Sequence, residues 1–457
     1  MGRLVRDSVI RQSMRDYLKI LEEKKQLMIC EKEVDPKFEL GAVIKKLNGI
    51  KPVLFKKIKG CDITAVAGIC GERSRYAELL NTSNEGIVFS LMEAVANPMP
   101  YEVVSSGPVK ENIIRRNIDI KRLFPVPTFH EKDSNPFITA GIVVVKDRKT
   151  GKSHTSVRRL QVLGGNRMSV LIESPMLLDQ YFDMEKEDEP MEIAVILGYD
   201  PIFMVSSQVN SQIYGLDKYE VDSALRGEPL KLVKCETADL LVPAYAEIVI
   251  EGFMPPKIRE KEGPFGEMAG YYGGGTPQPI MEITAVCHRS NPIFQINFPS
   301  SSEHVLPNGL MREMHLYQQV KNIIPTVKAV HLPTIGGCRF HAIVSIRKTS
   351  EGDGKSAIIA ALASNKDVKH VVVVDEDVDI FDPADVEWAI ATRVQADKDV
   401  IIIPGARGSG LEPTHELRGV TAKMGIDATA PFGGLEGKFE RTSIPGWERI
   451  NISDYFR

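Results

Sequence analysis

The hexapeptide Glu262-Gly263-Pro264-Phe265-Gly266-Glu267 sets two carboxylates five residues apart on a segment that cannot be helical. Pro264 has no N–H to give a helix, and the two glycines favour turn conformations, so both acids are held on one tight loop. Two carboxylates close together in a partly apolar setting oppose each other's charge, which lets one of them keep a proton near neutral pH. That is what an acid/base pair requires. Paired acids on a loop also serve as a solvated surface or as an arginine anchor, and the surrounding sequence decides between these readings.

Upstream stand His154-Thr155-Ser156-Val157-Arg158-Arg159-Leu160-Gln161, Asn166-Arg167-Met168, Gly198-Tyr199-Asp200-Pro201 and Ala224-Leu225-Arg226-Gly227-Glu228-Pro229. Val233-Lys234-Cys235-Glu236 and Ala246-Glu247-Ile248-Val249 lead into the two glutamates; Asp375-Glu376-Asp377, Glu387-Trp388-Ala389 and Lys423-Met424-Gly425 follow. In this order and spacing the segments resemble the UbiD family of (de)carboxylases, which use prenylated FMN, over nearly the whole chain. The resemblance puts the family's catalytic arginine at Arg159 and its two acids at Glu262 and Glu267. In the implied mechanism the prenylated flavin bonds to the substrate carbon bearing the carboxylate and takes up electrons as CO2 departs. Arg159 forks onto the substrate carboxylate or onto Glu262. Glu267, its pKa raised by burial, returns the proton to carbon. Without the family, an arginine on a barrel strand reads as a structural ion pair.

The same resemblance assigns cofactor contacts to His154, Thr155, Ser156, Val157, Arg158, Arg159, Met176, Leu177, Ser206, Ser207 and Lys218. Each of the serines has a second reading, a capped turn. The family's divalent metal, Mn or Mg, is held by an Asn, a His and a Glu that clamp the flavin phosphate. Those positions fall here on His154, Leu177 and Lys218, so no metal site is expected. An ammonium at Lys218 neutralises a phosphate without a metal. The stretch from Ser207 to Lys218 is also about two residues longer than usual, which leaves Asp217 or Glu220 as a displaced acid and Lys218 as a solvated loop residue. Gly273-Gly274-Gly275 lacks the Lys-Ser/Thr of a phosphate loop and reads as a turn beside the active site. The other histidines form no HExxH or i, i+4 ligand pair.

These groups need rigid elements to place them. A chain of 457 residues exceeds what one hydrophobic core usually supports, and its 43% hydrophobic residues can fill more than one. Apolar residues at helical spacing over Ser13 to Glu23 and Phe38 to Leu47 predict two helices, and Pro52–Phe55 and Ile63–Ile69 read as buried strands. The runs Gly141 to Val145 and Ser156 to Leu163, with turn residues around them, predict an antiparallel barrel; the resemblance implies a split barrel of the flavin-reductase kind. Phe340 to Ile346, Val371 to Val374 and Val400 to Ile403 return to α/β signals, with Asp382-Pro383 as helix N-cap and first turn. The expected fold is α/β (α+β): an N-terminal α/β domain (1–114), a central split-barrel domain binding prenylated FMN (115–320), and a C-terminal α/β oligomerisation domain (321–457).

Net charge of −4 and the lack of a dense Lys/Arg stripe argue against nucleic acid as partner. The six cysteines form no CxxC pair and sit in apolar segments, which favours reduced, buried thiols in the cytoplasm. No apolar run reaches the roughly 18 residues that cross a bilayer, and the N-terminus is charged and helical in pattern, unlike a signal peptide. Two functions from different classes follow. The first is a prenylated-FMN-dependent decarboxylase, or reverse carboxylase, of an aromatic or α,β-unsaturated acid, supplied by a flavin prenyltransferase and assembled as a homo-oligomer (dimer or hexamer). The second is a non-catalytic scaffolding subunit of a multi-subunit carboxylase, motivated by the altered metal positions. Met176, Leu177, Phe294, Phe298 and Leu310 read either as an apolar substrate wall or as core.

Overall fold

A computed structural model describes residues 12–47, 51–172, 174–210, 214–415, 417 and 419–455. The charged first eleven residues, and part of the lengthened stretch before Lys218, lie outside the described residues. The chain forms two compact units: Met1–His315 with Leu332–Phe340 and Ser409–Arg418, and Leu316–His331 with His341–Gly408 and Gly419–Arg457.

The first unit opens with the expected helices. Met14–Glu23 buries Met14, Tyr17, Leu18 and Leu21, and the Ser13 hydroxyl caps it by accepting the Arg15 N–H. Glu39–Lys46 buries Leu40 and Ile44. A four-stranded sheet follows, ordered Met28–Cys30, Val53–Phe55, Thr64–Ala67 and Ile293–Gln295. Its last strand comes from far along the chain and pairs parallel with the third, Ile293 opposite Thr64.

Between these segments lies the barrel. Its strands are β1 (Phe137–Lys146), β2 (Ser153–Gly164), β3 (Arg167–Val170), β4 (Met191–Leu197), β5 (Ile248–Met254) and β6 (Thr276–His288). They run in the order β5-β4-β1-β2-β3-β6, all antiparallel, and β5 pairs with β6 to close the ring. Closure removes the exposed edges that an open sheet of this length would present. One apolar core joins barrel residues such as Val143, Val162, Ile193 and Ile250 to Leu40, Ile44 and Phe55 of the N-terminal segment.

Two short helices, Pro201–Ser206 and Lys218–Arg226, pack beside the barrel. A buried ion triad fastens them together: Arg226 Nη2 donates to both Asp200 oxygens at 2.9 and 2.8 Å, and Nε donates to Asp222 Oδ1 at 2.5 Å. Asp200 also caps the first helix by accepting the Ile202 and Phe203 N–H groups.

The second unit is a five-stranded sheet: β7 (Val327–His331), β8 (His341–Ile346), β9 (His370–Asp375), β10 (Val400–Arg407) and β11 (Val420–Ala428), in the order β7-β8-β9-β11-β10. The three central strands are parallel. Helix Pro383–Arg393 is capped by Asp382, as its sequence predicts. All six cysteines are free; four are buried, while Cys30 and Cys61 are partly exposed.

Removing Arg226 leaves two carboxylates buried without their cation, the situation that makes a broken buried ion pair expensive. Arg226→Gln is expected to lower unfolding stability by about 3–5 kcal/mol, read from chemical denaturation followed by far-UV circular dichroism.

Candidate active site

Arg159 lies in the barrel wall on β2, and both acids of the Glu262 loop share its guanidinium. Nε and Nη2 donate to Glu262 Oε1 and Oε2 at 2.7 and 2.8 Å, and Nη1 donates to Glu267 Oε1. Burial pulls the guanidinium's pKa down, but the bond to Glu262 and the charges of Glu267 and Glu262 outweigh it and raise the pKa above its ordinary value. The two acids thus do not face each other bare; a cation stands between them. Their exposure separates their roles: the Glu262 side chain is 1% exposed and that of Glu267 is 16% exposed.

The local sequence builds this arrangement. Strand Arg259–Glu262 pairs with the start of β6, setting Glu262 opposite Thr276. After the Gly263-Pro264 turn, Phe265–Gly266 pairs with Tyr272–Gly273. A Cβ on Gly273 would stand 2.7 Å from Glu267 Oε1, and one on Gly274, at φ +88°, 3.2 Å from Glu262 Oε2. Only glycine lets the returning strand pass this close. Gln161, two residues beyond Arg159 and on the same strand face, accepts the Gly263 N–H at 2.7 Å. Asp133 accepts the Gly266 N–H at 3.0 Å. The Phe265 ring lies 4.8 Å below the guanidinium carbon and 4.5 Å from the Phe137 ring.

Before this group opens a cleft of about 270 Å³, with Ser156, Val157, Arg158, Arg159 and Glu267 on its walls. Thr139 joins them from β1, where the pairing register with β2 shifts between Ile138 and Gly141. Its hydroxyl is buried and bonds to no protein group, so it offers a donor and an acceptor to a ligand. Leu171, Met204 and Phe265 supply apolar surface. Apolar faces beside a strand, with an arginine and an open hydroxyl, fit a flavin.

The remaining expected contacts lie elsewhere. His154 and Thr155 are buried next to Ser156. Burial, then the charges of Lys218 and Arg158, push His154 down to about 3. Lys218 is not a solvated loop residue: it starts the Lys218–Arg226 helix fully buried, and its Nζ donates to the Thr155 and Ser207 carbonyls, the latter at 3.0 Å. Burial and Arg158 pull Lys218 down to about 7, against the opposing charge of Asp217. Asp217 caps that helix by accepting the Tyr219 N–H at 3.0 Å, and Glu220 lies in its first turn.

Four of the expected contacts lie off the cleft wall. Met176 and Leu177 occupy the first turn of helix Pro175–Lys186, and Leu177 packs in the apolar core with Tyr181, one turn on. Neither lines the cleft. Ser206 and Ser207 close a helix end, donating to Phe203 O at 3.1 Å and Met204 O at 2.7 Å. Both follow the capped-turn alternative. Phe294, Phe298 and Leu310 are core residues.

The cleft also recruits His304, Asn308, Gln208 and Arg339, which the sequence motifs do not flag. His304 and Asn308 stand one turn apart on helix Ser302–Ile323, and that spacing was the available signal. His304 Nδ1 accepts the Ser300 N–H at 3.2 Å, so the proton of its neutral ring is on Nε2. Burial, with Arg339 and Arg159, pushes its pKa down to about 4. Two of the residues at the family's metal positions, His154 and Lys218, stand together beside Arg158, and such a basic cluster does not suit a divalent cation. Among the described residues no group of three or more His, Cys, Asp or Glu could hold a metal.

Comparison with known proteins agrees with the geometry. Family models for the N-terminal, Rift-related and C-terminal domains of 3-octaprenyl-4-hydroxybenzoate carboxy-lyase match residues 18–95, 102–302 and 306–428. Anhydromevalonate phosphate decarboxylase of Methanothermobacter thermautotrophicus is 37% identical over 430 residues, spanning 94% of this chain and 99% of that one. The UbiD-class enzyme HmfF of Pelotomaculum thermopropionicum, solved with FMN, superposes with a TM-score of 0.94 at 46% identity, covering 97% of this chain and 100% of that one. An evolved dimeric form of it, solved with prenylated FMN, gives 0.90 at 44% identity over 98% and 100% of the two chains. An acid–arginine–acid group on the wall of a closed six-stranded barrel, carried on a chain matched almost end to end, places this protein in the UbiD family of carboxy-lyases, decarboxylases that work with prenylated FMN.

Proposed function

We propose that Arg159, Glu262 and Glu267 manage charge and proton in the non-oxidative decarboxylation of an aromatic or α,β-unsaturated carboxylic acid, or in its reversal at high CO2. The observation that carries this reading is the single guanidinium shared between a sealed carboxylate and one that opens to the cleft. Glu262 holds Arg159 in plane through two bonds. Arg159 then presents charge to the substrate carboxylate. Glu267, on the cleft wall, delivers the proton at its carboxylate oxygen to the carbon that CO2 has left, and takes it back in the carboxylating direction. Phe265 covers the guanidinium and keeps water from it. When bound, prenylated FMN supplies the electron sink for breaking the carbon–carbon bond. Ser156 to Arg159 and Thr139 hold it, Arg158 as a charged contact. Leu171, Met204 and Phe265 suit a flat conjugated acid.

The wider assignment rests on the same footing. A flavin prenyltransferase supplies the cofactor, and residues 115–320 bind it. The C-terminal part, 321–457, joins copies into a dimer or hexamer; Ile359 and Ile402, 56% and 68% exposed, support that role, and further carboxylase subunits are compatible with it. Free cysteines agree with a cytoplasmic setting. Among the described residues no helix is long and apolar enough to cross a membrane.

Glu267→Gln keeps the shape of the side chain but cannot deliver a proton at a useful rate. The variant is expected to retain the flavin spectrum and to lose about 10²–10⁴-fold in CO2 release. Near-normal turnover by the folded variant removes Glu267 as the donor and points to Glu262.

Lys218 takes the place of the metal beside the flavin phosphate. Its pKa near 7 gives this reading a sign: a phosphate favours the charged ammonium, so cofactor binding at pH 8 takes up a proton. Calorimetry in buffers of different ionisation enthalpy measures that uptake. Lys218→Met is expected to weaken flavin retention and abolish the uptake. Stoichiometric Mn or Mg in the loaded protein, or unchanged retention in the mutant, overturns the assignment.

A further inference from the structure

Glu303 is completely buried in the first turn of helix Ser302–Ile323, and none of the chemistry above uses it. Its carboxylate accepts backbone N–H groups from Gly68 and from Cys70, the latter at 3.1 Å, and from Ile69 between them. This three-residue turn follows strand Thr64–Ala67 in the N-terminal sheet. Gly68 holds φ +82°, and a Cβ there would stand 2.5 Å from the Lys51 carbonyl. The turn's carbonyls are engaged from its other side: Arg75 Nη1 donates to Gly68 O at 3.0 Å and the Tyr76 hydroxyl donates to Cys70 O at 3.3 Å. With its carbonyls fixed outward, the turn points successive N–H groups at one anion, and the anion is a side chain of the protein.

The residues after Glu303 are cleft residues. His304, Val305, Pro307 and Asn308 all line the cleft that holds Arg159 and Glu267. One buried carboxylate therefore ties this wall to a sheet that touches no substrate. A buried acid is costly unless fully hydrogen-bonded, and an apolar residue would anchor a helix turn without that cost. We propose that Glu303 is a positioning residue of the reaction: its carboxylate, gripped by the Gly68–Cys70 turn, sets where His304, Val305, Pro307 and Asn308 stand against the substrate. The proposal rests on the cleft being the active site.

Burial pushes Glu303 up to about 7, with the turn's N–H groups and Arg75 pulling the other way. The titratable groups facing it are Arg75, Cys70, Tyr76 and Tyr199. Burial raises Cys70, Tyr76 and Tyr199 well above their ordinary values, so Glu303 is the member of this set that changes charge near neutrality. The raised pKa means that the buried site holds the protonated acid more firmly than the charged one; as pH rises through 7 the carboxyl ionises against that preference, and the grip on the wall loosens.

The test uses the flavin-loaded enzyme. Hydrogen–deuterium exchange, corrected for intrinsic rates, is followed from pH 6 to 8.5. In parallel, kcat and KM for CO2 release are measured on 3,4-dihydroxybenzoate, gallate, vanillate and cinnamate. In the wild type, protection of segments 68–70 and 304–308 is expected to fall as pH rises through 7, and kcat with it. Glu303→Gln, whose amide sets a donor against the turn's N–H groups, is expected to lose protection in both segments at every pH while strand 137–146 keeps its own, with kcat down roughly ten- to a hundredfold and no alkaline limb. Glu303→Asp recovers part of both. Arg75→Met keeps Glu303 but removes the nearby guanidinium, itself paired with Glu72, so the midpoint moves to higher pH; this variant decides if Glu303→Gln does not fold. Wild-type exchange and pH profile in Glu303→Gln, exchange that rises throughout the barrel as well, or an unmoved midpoint in Arg75→Met each overturns the proposal. Loss of turnover in Glu267→Gln alongside a normal Glu303→Gln leaves the cleft as active site and refutes only the role of Glu303.

Discussion

One guanidinium organises this protein's active site. Arg159 must satisfy two carboxylates from a loop more than a hundred residues later in the chain, and the loop must therefore be brought down onto β2 and kept there. Removed from water, each of these charges would be unfavourable alone; together, with their hydrogen bonds made, they are tolerated. The surroundings answer to that requirement. Gln161 and Asp133 hold the loop's backbone N–H groups, Phe265 closes one face of the guanidinium, and the glycines at 273 and 274 let the returning strand fold over both acids. The barrel's contribution is stiffness, since a closed sheet has no edge through which β2 could shift register.

The acidic loop was legible because it is written in a short, local run. Two acids across Gly-Pro cannot be helical, and the loop that results is the one observed. Asp382 foretold a helix start for the same reason: a cap depends on one side chain and the two residues after it. What stayed hidden needed the chain to return on itself. His304 reaches the cleft because Ile293–Gln295 comes back to complete the N-terminal sheet and the following helix starts beside it, and Arg339 comes from a segment later still. No window of sequence contains that return. Leu177 was misplaced by counting along a segment from a motif, although Leu177 and Tyr181, four apart, already carried the spacing of a helix face turned to the core.

Lys218 joins two elements through one buried side chain. At the start of its helix the chain buries a lysine whose amine already has two backbone carbonyls as partners. The barrel strand and the helix end that supply those carbonyls are thereby joined by a cation. The joint works whatever else approaches it, which lets the protein keep its local geometry there with or without a ligand.

The cleft divides its labour in space. The ionic group comes from β2 and one glycine-rich loop, which also carry the apolar Val157, Phe265 and Met268, whereas further apolar surface comes from Leu171, Met204, Val305 and Leu411, four residues on separate segments. No hydrogen bond or ion pair connects those four side chains to Arg159 or either acid. Selection, natural or in the laboratory, can therefore reshape what the enzyme accepts one wall at a time without disturbing how it reacts, whereas a side chain added at Gly273 would collide with Glu267 itself. Substrate range in such a scaffold is free to drift, and the reaction is not.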